Sequence, residues 1–387
     1  MKKLFYNLRL TGHHSEYVGH LIDYLGLNKD DNRYIFVLHP EFSNKFPQIA
    51  DKAKQIENVT WITVTADEYR SIEGGGMLKK TFSEYQLMNR YAVDNKVDAV
   101  CLLYFNTFQL ACVFYRPSYS ISGILFLQFF RMEQSGLRER IKYYRKYLTT
   151  LGYSINPKIK SVFILNDAKA GKYLNNTFKT AIFKMLPDPI PELLPMGNFD
   201  IYAHYNIERG RKIFLHIGGL CDRKGTFEII DAAQFITGEN QAKVAILLVG
   251  KPASDNTGEI IATKIKDAEN NTKVQVIWDN KFISNPMMKS IFDQSAVVLI
   301  PYKNTEASSG ILGHAIAANK NVIATGKGLI KELIEENNFG VLIKEVTPGE
   351  IASKIESFLP LQSDTHFSSA FLKAHTPQEF AELVILN

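Results

Sequence analysis

The chain has 387 residues, which is long for one hydrophobic core, so two domains of ordinary size are expected. Its 45% hydrophobic and 22% charged residues are typical of a soluble globular protein, and no uninterrupted apolar run approaches the roughly 20 residues that span a bilayer. The net charge of +5 is uneven, because residues 101–186 hold 13 Lys/Arg against 3 Asp/Glu. Such a segment can face an anionic partner or be a solvated basic helix.

The cysteines and the first residues of the chain indicate the cellular compartment of the protein. Three cysteines are present, and they form no metal-ligand cluster and leave one over after any pair: Cys101, Cys112 and Cys221. Only a short apolar stretch separates Met1 from Asn7 and Arg9, so no secretion signal is predicted. We expect a reduced, cytoplasmic protein with no metal site.

The first half alternates short apolar runs with helical patterns. Strands are predicted over residues 3–8, 34–38, 61–64, 99–105 and 161–165, and helices over about 15–25, with Ser15 as N-cap, and 82–95. Residues 101–115 indicate a buried strand followed by a buried helix. The alternation predicts βαβ units and a parallel sheet.

The loop after the first strand contains Gly12, His13 and His14. A first βα loop lies at the ligand-binding end of a parallel sheet. Paired histidines there could position a substrate hydroxyl or act as a base. The alternative is that they are ordinary polar residues of a loop.

A basic helix is predicted near residues 137–148. Five cations alternate there with apolar residues: Arg138, Arg140, Lys142, Arg145 and Lys146 with Ile141, Tyr143, Tyr144, Tyr147 and Leu148. Such a helix could lie on an anionic membrane surface, or it could pack its aromatic face into its own domain, which is the commoner outcome.

A proline-rich segment divides the chain. Three prolines fall within five residues, at Pro187, Pro189 and Pro191, and exclude a helix interior or central strand. We therefore predict a first domain over residues 1–186, a hinge over 187–210 and a second domain over 211–365. A C-terminal helix within about 366–387 could pack back on the first domain.

The second half repeats the pattern of the first. Strands are predicted over residues 212–217, 244–249, 274–278, 296–300 and 321–324, with a short edge element at 340–343; helices are predicted over 226–235, 309–319 and 377–386. Two similar α/β halves joined by a hinge is the predicted architecture.

Two loops at the carboxyl ends of these strands carry candidate chemistry. In the turn over residues 218–225, glycines let amides approach phosphate, and Arg223 or Lys224 adds positive charge at a helix N-terminus, although alone this is equally well an ordinary turn. The loop after residue 300 offers a carboxylate, two hydroxyls and a glycine: Glu306, Ser308, Ser309 and Gly310. Alone, Glu306 is equally a capping carboxylate, and His314 is more commonly a core histidine. Together the two loops suit a diphosphate and a polyol, as in a nucleotide sugar.

The second half resembles the donor domain of retaining glycosyltransferases of family four (glycosyl transferases group 1). The family has a G-R-L-x-x-x-K-G turn, a strand ending in I-V-G, a loop from proline to glutamate that continues as E-x7-E-A-x-A, and x-P-V-I-A-T. The matches are Gly218, Leu220, Lys224, Gly225, Val249, Gly250, Pro301, Glu306, Ala315, Ala317 and residues 322–325. Gly219 replaces the family arginine, whose charge Arg223 could supply, and His314 replaces the second glutamate, usually a ribose contact. The family's first-half histidine has no evident match, and His13 or His14 could substitute.

The resemblance implies an α/β protein of the GT-B fold, with two Rossmann-like parallel-sheet domains facing a central cleft. The first domain would bind the acceptor and the second the donor. The implied reaction moves a sugar from a nucleoside-diphosphate sugar to an acceptor hydroxyl with retention, without metal or cofactor. Lys224, with Arg223 and nearby amides, would stabilise the departing diphosphate, and Glu306 would hold the donor sugar.

The resemblance and the two loops together give the predicted site. The donor set is Gly218, Gly219, Arg223, Lys224, Gly250, Lys281, Phe282, Glu306, Ser308, Ser309, Gly310 and His314; the acceptor set is Gly12, His13, His14 and Arg131; and the catalytic set is Glu306, Lys224 and His13. Expected partners are a nucleotide sugar, a glycan or lipid-linked acceptor and an anionic membrane surface, but not nucleic acid.

The setting implied is surface polysaccharide or glycoconjugate synthesis, in the cytoplasm or at the inner face of the membrane. Two alternatives stay open. One is a GT-B protein that has lost transfer and serves as a binding or partner subunit, and the other is a nucleotide-sugar epimerase.

Overall fold

Two parallel β-sheets organise the chain, one in each of two units. The computed structural model describes residues 1–132, 134, 136–303, 309–360, 367 and 369–387. The first unit comprises Met1–Pro189 and His375–Asn387, and the second comprises Ile190–Ala374. The boundary between the units after Pro189 lies inside the proline-rich segment.

The first unit contains a seven-stranded sheet in the order β3-β2-β1-β4-β5-β6-β7, with every neighbouring pair parallel. The strands are β1 (Lys2–Asn7), β2 (Arg33–Leu38), β3 (Val59–Thr63), β4 (Ala99–Leu102), β5 (Ser120–Leu125), β6 (Ile159–Leu165) and β7 (Phe183–Leu186). In the middle of this sheet, β1 has β2 on one side and β4 on the other.

The second unit contains a six-stranded parallel sheet in the order β10-β9-β8-β11-β12-β13. The strands are β8 (Lys212–Ile217), β9 (Val244–Val249), β10 (Gln275–Asp279), β11 (Val297–Ile300), β12 (Asn321–Thr325) and β13 (Gly340–Ile343). Here β8 has β9 on one side and β11 on the other. In both sheets the strand order therefore reverses at a central strand, and open α/β sheets bind ligands beyond the carboxyl ends at such a point.

Helices cover the sheets. In the first unit they are α1 (His14–Leu27), α2 (Phe42–Lys45), α3 (Pro47–Lys54), α4 (Ala66–Glu73), α5 (Met77–Asp94), α6 (Gln109–Phe114), α7 (Leu137–Ser154) and α8 (Ala168–Phe178). In the second unit they are α9 (Ile201–Tyr205), α10 (Thr226–Asp231), α11 (Asp255–Asn271), α12 (Asn285–Gln294), α13 (Gly310–Ala317), α14 (Gly328–Asn337), α15 (Pro348–Ser357) and α16 (Ser369–Ala374). The last helix, α17 (Pro377–Leu386), belongs to the first unit.

The core strands are apolar along most of their length because they are buried on both faces. All six residues of β9 are buried, as are the last five of β2. Each sheet accordingly separates two apolar clusters, one on each face. Strands of this kind appear in the sequence as continuous rather than alternating apolar runs.

The last helix is fixed to the first strand of the chain. Phe380 and Val384 of α17 are fully buried in the same cluster as Phe5 of β1. The Lys3 Nζ donates hydrogen bonds of 2.9 Å to the carbonyl oxygens of Val384 and Ile385. These carbonyls are in the last turn of α17, where intrahelical donors are missing, so a buried ammonium satisfies them.

Several predicted boundaries were wrong. Ser15 is not an N-cap, because α1 begins at His14. The α5 helix begins at Met77, five residues before the predicted start, since its first turn is exposed and shows no core-facing periodicity. The strand predicted over 99–105 ends at Leu102. The helix predicted as buried after it leaves Phe114 63% exposed.

Candidate functional site

The turn after β8 is bound to the end of the neighbouring strand. The amide of Gly218 donates to the Val249 carbonyl and that of Leu220 to the Lys251 carbonyl, both at 2.9 Å. Gly218 has φ +116° and Gly250 has φ +135°, and a β-carbon at Gly250 would collide with the Gly218 carbonyl oxygen. Only glycines allow this close approach of the two loops.

Lys224 returns its ammonium group to the start of the turn. Its Nζ is 2.7 Å from the position that a β-carbon on Gly218 would occupy, and 5.4 Å from the centre of the Tyr302 ring. Among the described residues no carboxylate forms an ion pair with it, and burial lowers the pKa of Lys224. A half-buried cation of this kind is suited to a ligand that brings negative charge.

A buried histidine holds the turn in its conformation through hydrogen bonds. His216, on β8, is fully buried, with its Nδ1 3.0 Å from the Leu299 carbonyl oxygen and its Nε2 3.0 Å from Thr226 Oγ1. The carbonyl can only accept, so Nδ1 carries the proton and Nε2 accepts from the Thr226 hydroxyl. The same hydroxyl oxygen accepts from the Cys221 amide at 3.1 Å. Burial lowers the pKa of His216 to about 4, with Lys224 adding to the shift, so it is neutral at pH 7.

The segment after β11 lies against this turn. A β-carbon at Gly218 would be 4.0 Å from Ile311 Cδ1, so the first turn of α13 is adjacent to Lys224. Ser309, immediately before α13, is 3.4 Å from the Tyr302 hydroxyl through its Oγ. Burial raises the pKa of Tyr302 to about 12, so the phenol is neutral. The Leu312 amide donates to the Ser309 carbonyl at 3.0 Å. The amides of Gly310 and Ile311 precede it in the first turn of α13, and this end of a helix favours an anion.

Lys303 connects the loop after β11 to the turn after β8. Its amide donates to the Arg223 carbonyl at 2.9 Å, and its Nζ pairs with Asp222 at 2.6 Å and Glu228 at 2.8 Å. These two carboxylates are thereby directed at Lys303. Glu306 and Ser308, the other predicted residues of this loop, lie outside the described residues.

The remaining predicted donor residues lie at the same edge of the sheet or on α13. The Trp278 indole donates to the Gly250 carbonyl at 3.0 Å, which places the end of β10 beside the glycine. Phe282 is 83% exposed, and the centre of its ring is 5.5 Å from the Lys251 Nζ. The Lys281 Nζ is 3.5 Å from Asp279 Oδ1.

Three further members of the predicted set differ in their surroundings. Arg223 and Gly219 are exposed. His314 is half-buried, with its ring centre 5.9 Å from that of Phe292 on α12.

A second polar cluster lies at the carboxyl edge of the first sheet, between the loops after β1 and β4. Arg9 donates from Nη2 to Thr107 Oγ1 at 2.8 Å, lies 5.0 Å above the centre of the Tyr104 ring and is 3.7 Å from Glu84. Glu84 is 3% exposed, and burial raises its pKa. Arg9 thus links both loops of the switch point in this unit.

Within the described part of the chain, three buried atoms of this cluster find no hydrogen-bond partner: the Tyr6 hydroxyl, Arg9 Nε and His14 Nδ1. Burial, followed by the charge of Arg9, lowers the pKa of His14 to about 4, so its ring is neutral at pH 7. Buried polar groups are nearly always paired in folded proteins, so this cluster is suited to a ligand rich in hydroxyls. His14 was predicted from sequence; Tyr6, Arg9 and Glu84 were missed, and the one local signal is a cation directly after an apolar strand.

The other predicted acceptor residues have different surroundings. His13 is exposed and its Nδ1 is 3.0 Å from Glu16, while Gly12 has φ +72° in the loop before it. Arg131 is largely buried and donates through Nε and Nη2 to Asp167 at 2.6 and 2.9 Å. Asp167 also accepts from the Ala170 amide at the start of α8, so this ion pair joins two parts of the first unit.

Comparison with known proteins identifies the class of the second unit. Residues 199–369 match the profile of the family described as glycosyl transferases group 1. The second unit therefore carries a domain of this glycosyltransferase family, and the resemblance found in its motifs is confirmed. A search of curated protein sequences finds no significant match to the chain.

Solved structures extend the likeness to the whole chain. WaaG, a glycosyltransferase involved in lipopolysaccharide biosynthesis, is 12% identical with a TM-score of 0.65 over 99% of each chain. An α,α-trehalose-phosphate synthase (UDP-forming) from Burkholderia vietnamiensis is 11% identical with a TM-score of 0.66, over 100% of this chain and 99% of that one. Anabaena HepE, solved with UDP-glucose, is 16% identical with a TM-score of 0.64, over 100% and 96%.

These likenesses establish the fold, which is GT-B with two Rossmann-like parallel-sheet domains, as predicted. Among the helices of the described part of the chain, none is long and apolar enough to cross a membrane.

The buried His216 predicts a pH dependence for the stability of the second unit. Its pKa is about 4 in the folded protein and near 6.5 when unfolded, so the unfolded chain binds more protons between these values. The contribution of His216 to the free energy of unfolding is fully present above pH 6.5. As the pH drops towards 4 this contribution is lost, which lowers the free energy of unfolding by about 3 kcal/mol. We expect His216→Gln to remove most of that pH dependence.

The chain has two tryptophans, Trp61 in the first unit and Trp278 in the second, so fluorescence of a Trp61→Phe background follows the second unit alone. Urea unfolding at pH 7 and pH 4.5 supplies the comparison. His204→Gln, on the exposed end of α9, is the control and should leave the pH dependence unchanged. An equal pH dependence with and without His216 would contradict a neutral buried imidazole.

Proposed function

We propose that the protein transfers a sugar from a nucleoside-diphosphate sugar to an acceptor hydroxyl, with retention of anomeric configuration and without a metal ion. The observation that carries the proposal is the half-buried Lys224 ammonium, which lies in the bend of the Gly218 turn beside the start of α13. This is the switch point of the second sheet, between β8 and β11.

The chemistry requires a fixed positive charge at this place. As the bond to the sugar breaks, negative charge grows on the diphosphate and the anomeric carbon becomes oxocarbenium-like. Groups that are already oriented towards the growing charge lower the barrier, because little reorganisation is needed when the bond breaks. Lys224 supplies the charge and the amides from Gly310 supply donors. Glu306 is assigned from its motif match to the hydroxyls of the donor sugar.

Uridine diphosphate sugars are the donors to test first. HepE was solved with UDP-glucose and with UDP, and the trehalose-phosphate synthase is named as UDP-forming, which supports uridine without identifying it here. We assign Phe282 and Lys281 to the nucleobase, since both follow β10 at the edge that carries Gly250.

The first unit is assigned to the acceptor. The cluster of Tyr6, Arg9, His14 and Glu84 offers unpaired donors and acceptors at its own switch point, which suits a hydroxyl-rich glycan or a lipid-linked glycan. Gly12 and His13 form the loop before His14, the first residue of α1, and His13 is the candidate base.

We place the reaction in surface polysaccharide or glycoconjugate synthesis, in the cytoplasm at the inner face of a membrane. The role of WaaG in lipopolysaccharide biosynthesis supports this setting.

A partner subunit without transfer activity is the competing candidate. The family turn has an arginine where this chain has the exposed Gly219, and His314 replaces a family glutamate. Nucleotide binding without transfer to any acceptor would favour that candidate, and donor conversion in the absence of an acceptor would favour an epimerase.

Lys224→Met should lower kcat by on the order of a hundredfold, because it removes one preorganised charge from the leaving group. The measurement is release of the nucleoside diphosphate from a panel of donors, with the anomeric configuration of the product read by NMR. Lys243→Met removes an equal charge from an exposed site before β9 and should leave kcat unchanged. A rate unaffected by Lys224→Met would exclude it from leaving-group stabilisation, and an inverted product would contradict retention.

Gly218→Ala and Gly219→Ala form a matched pair in one turn. A β-carbon at Gly218 would be 2.7 Å from Lys224 Nζ on a backbone with φ +116°, whereas at Gly219 it meets no atom within 4 Å. We expect Gly218→Ala to weaken binding of UDP about tenfold or more, and Gly219→Ala to bind as the wild type does. Calorimetric titration measures both. Equal affinities in the two variants would show that the turn does not hold the diphosphate.

A further inference from the structure

The α7 helix has two apolar rows, and only one of them packs into the first unit. Tyr143 and Tyr147 face inward, with ring centres 5.2 and 5.5 Å from that of Phe129, and Tyr147 also contacts Phe178 at 5.1 Å. Thr150 and Tyr153, further along the helix, are buried. The aromatic face of this basic helix is therefore part of the core, which was the commoner of its two predicted outcomes.

The second row is exposed. Successive members follow at intervals of four and three residues, and each has between 38% and 77% of its surface exposed: Leu137, Ile141, Tyr144, Leu148, Leu151 and Ile155. These intervals keep the six side chains on one stripe along the whole helix. Single exposed apolar residues are ordinary, but a continuous stripe of large ones marks an interaction surface.

The neighbouring helix α6 packs against the C-terminal part of α7. Gly152 of α7 packs closely on α6, because a β-carbon there would be 2.8 Å from Val113 Cγ1. Phe114, next along α6, is 63% exposed. Its ring centre is 6.3 Å from that of Phe82 on α5.

Cations lie directly beside the stripe. Arg138, Lys142 and Arg145 each follow a member of the stripe by one residue and form the next row of the helix, facing away from the core, and all three are exposed. Arg140 is exposed as well, and Glu139 is the one acidic residue between Leu137 and Ser154. An apolar stripe with a cationic border fits a surface that is apolar beneath and negatively charged above.

We propose that this face of α7, the stripe from Leu137 to Ile155 with its cationic row, docks the protein on an anionic lipid bilayer. The apolar side chains enter the boundary between headgroups and acyl chains, and Arg138, Lys142 and Arg145 bind lipid phosphates. The stripe runs along one side of the whole 18-residue helix, about 27 Å, so the helix lies along the membrane plane. The proposal rests on the proposed function for its biological purpose, which is to bring a membrane-borne acceptor to the first unit.

Charge favours a bilayer over a second copy of the chain as the occupant. Pairing two α7 stripes would bring the cationic rows of both copies together with one glutamate from each helix to compensate. Residues 101–186 as a whole hold 13 Lys/Arg against 3 Asp/Glu. Repulsion of that kind opposes self-association, whereas anionic headgroups attract each nearby cation.

The test is flotation with vesicles of phosphatidylcholine alone and of phosphatidylcholine with phosphatidylglycerol. We expect the wild type to float with the anionic vesicles and less as salt increases. Ile141→Gln/Leu148→Gln should lower the partition coefficient at least about tenfold. Arg138→Gln/Lys142→Gln/Arg145→Gln should abolish the preference for phosphatidylglycerol.

The matched control is Leu27→Gln/Leu194→Gln, which changes two leucines that are similarly exposed elsewhere and should float as the wild type does. Wild type that stays unbound at low salt, or Ile141→Gln/Leu148→Gln that floats equally well, would overturn the proposal. So would a wild-type dimer, seen by analytical ultracentrifugation, that the stripe variant dissociates, because the stripe would then cover a second copy.

The same samples separate this proposal from the proposed function. Thermal shift with UDP and other nucleoside diphosphates reports on the second unit without vesicles. The stripe variants should keep the nucleotide shift of the wild type, which also shows that they fold, and Lys224→Met should lose that shift but still float. Wild type that shows the nucleotide shift but stays unbound to anionic vesicles would contradict the docking surface alone. Wild type that floats but shows no shift with any nucleotide would contradict the donor site alone.

Discussion

The arrangement of the second unit depends on the position of one ammonium group. Lys224 reaches back across its own turn to Gly218, and this is feasible because Gly218 has no side chain to occupy that place. Three contacts hold the turn around it: the bonds to the end of β9, the chain from the Cys221 amide through Thr226 to His216, and the bond from Lys303 to the Arg223 carbonyl. The cation is thereby oriented before any ligand arrives, which is the condition for effective electrostatic catalysis.

The two units place their polar groups by the same topological rule. In each sheet the order of strands reverses beside a central strand, β1 in the first and β8 in the second, and the loops that follow these strands carry the cations. Arg9 in the first unit bonds to Thr107 and stacks on Tyr104, while Lys224 in the second lies beside Tyr302. The first cluster has buried polar atoms that lack a partner among the residues that the structure describes, and it suits hydroxyls. The second presents a cation and helix amides and suits a diphosphate.

Much of this fold could be predicted from the sequence, and the reasons are local. The bounds of β9 and β13 were predicted to the residue, because β-branched apolar runs end at glycines or begin with one. The turn over residues 218–225 was recognisable because its glycines and Lys224 are close together in the chain. His216 was missed, since a histidine within an apolar strand shows no sign that it bonds to a threonine ten residues later.

The first-unit cluster and the two rows of α7 depend on tertiary packing. Arg9 and Glu84 are 75 residues apart and meet only when α5 packs on the sheet. In α7 the aromatic and aliphatic residues were predicted as one face, but they form two rows, because Tyr143 and Tyr147 pack on Phe129 and leave Tyr144 and the aliphatic side chains outside. Composition alone does not distinguish the buried row of α7 from the exposed row.

A crystal structure of the protein with bound UDP tests the central claim most directly. We expect the diphosphate oxygens within about 3 Å of Lys224 Nζ and of the first amides of α13. The opposite, amino-terminal edge of the same sheet has a cavity of about 570 Å³ lined by residues such as Glu208, Arg211 and Lys273. A nucleotide bound there, or one bound with Lys224 turned away from its phosphates, would contradict the account.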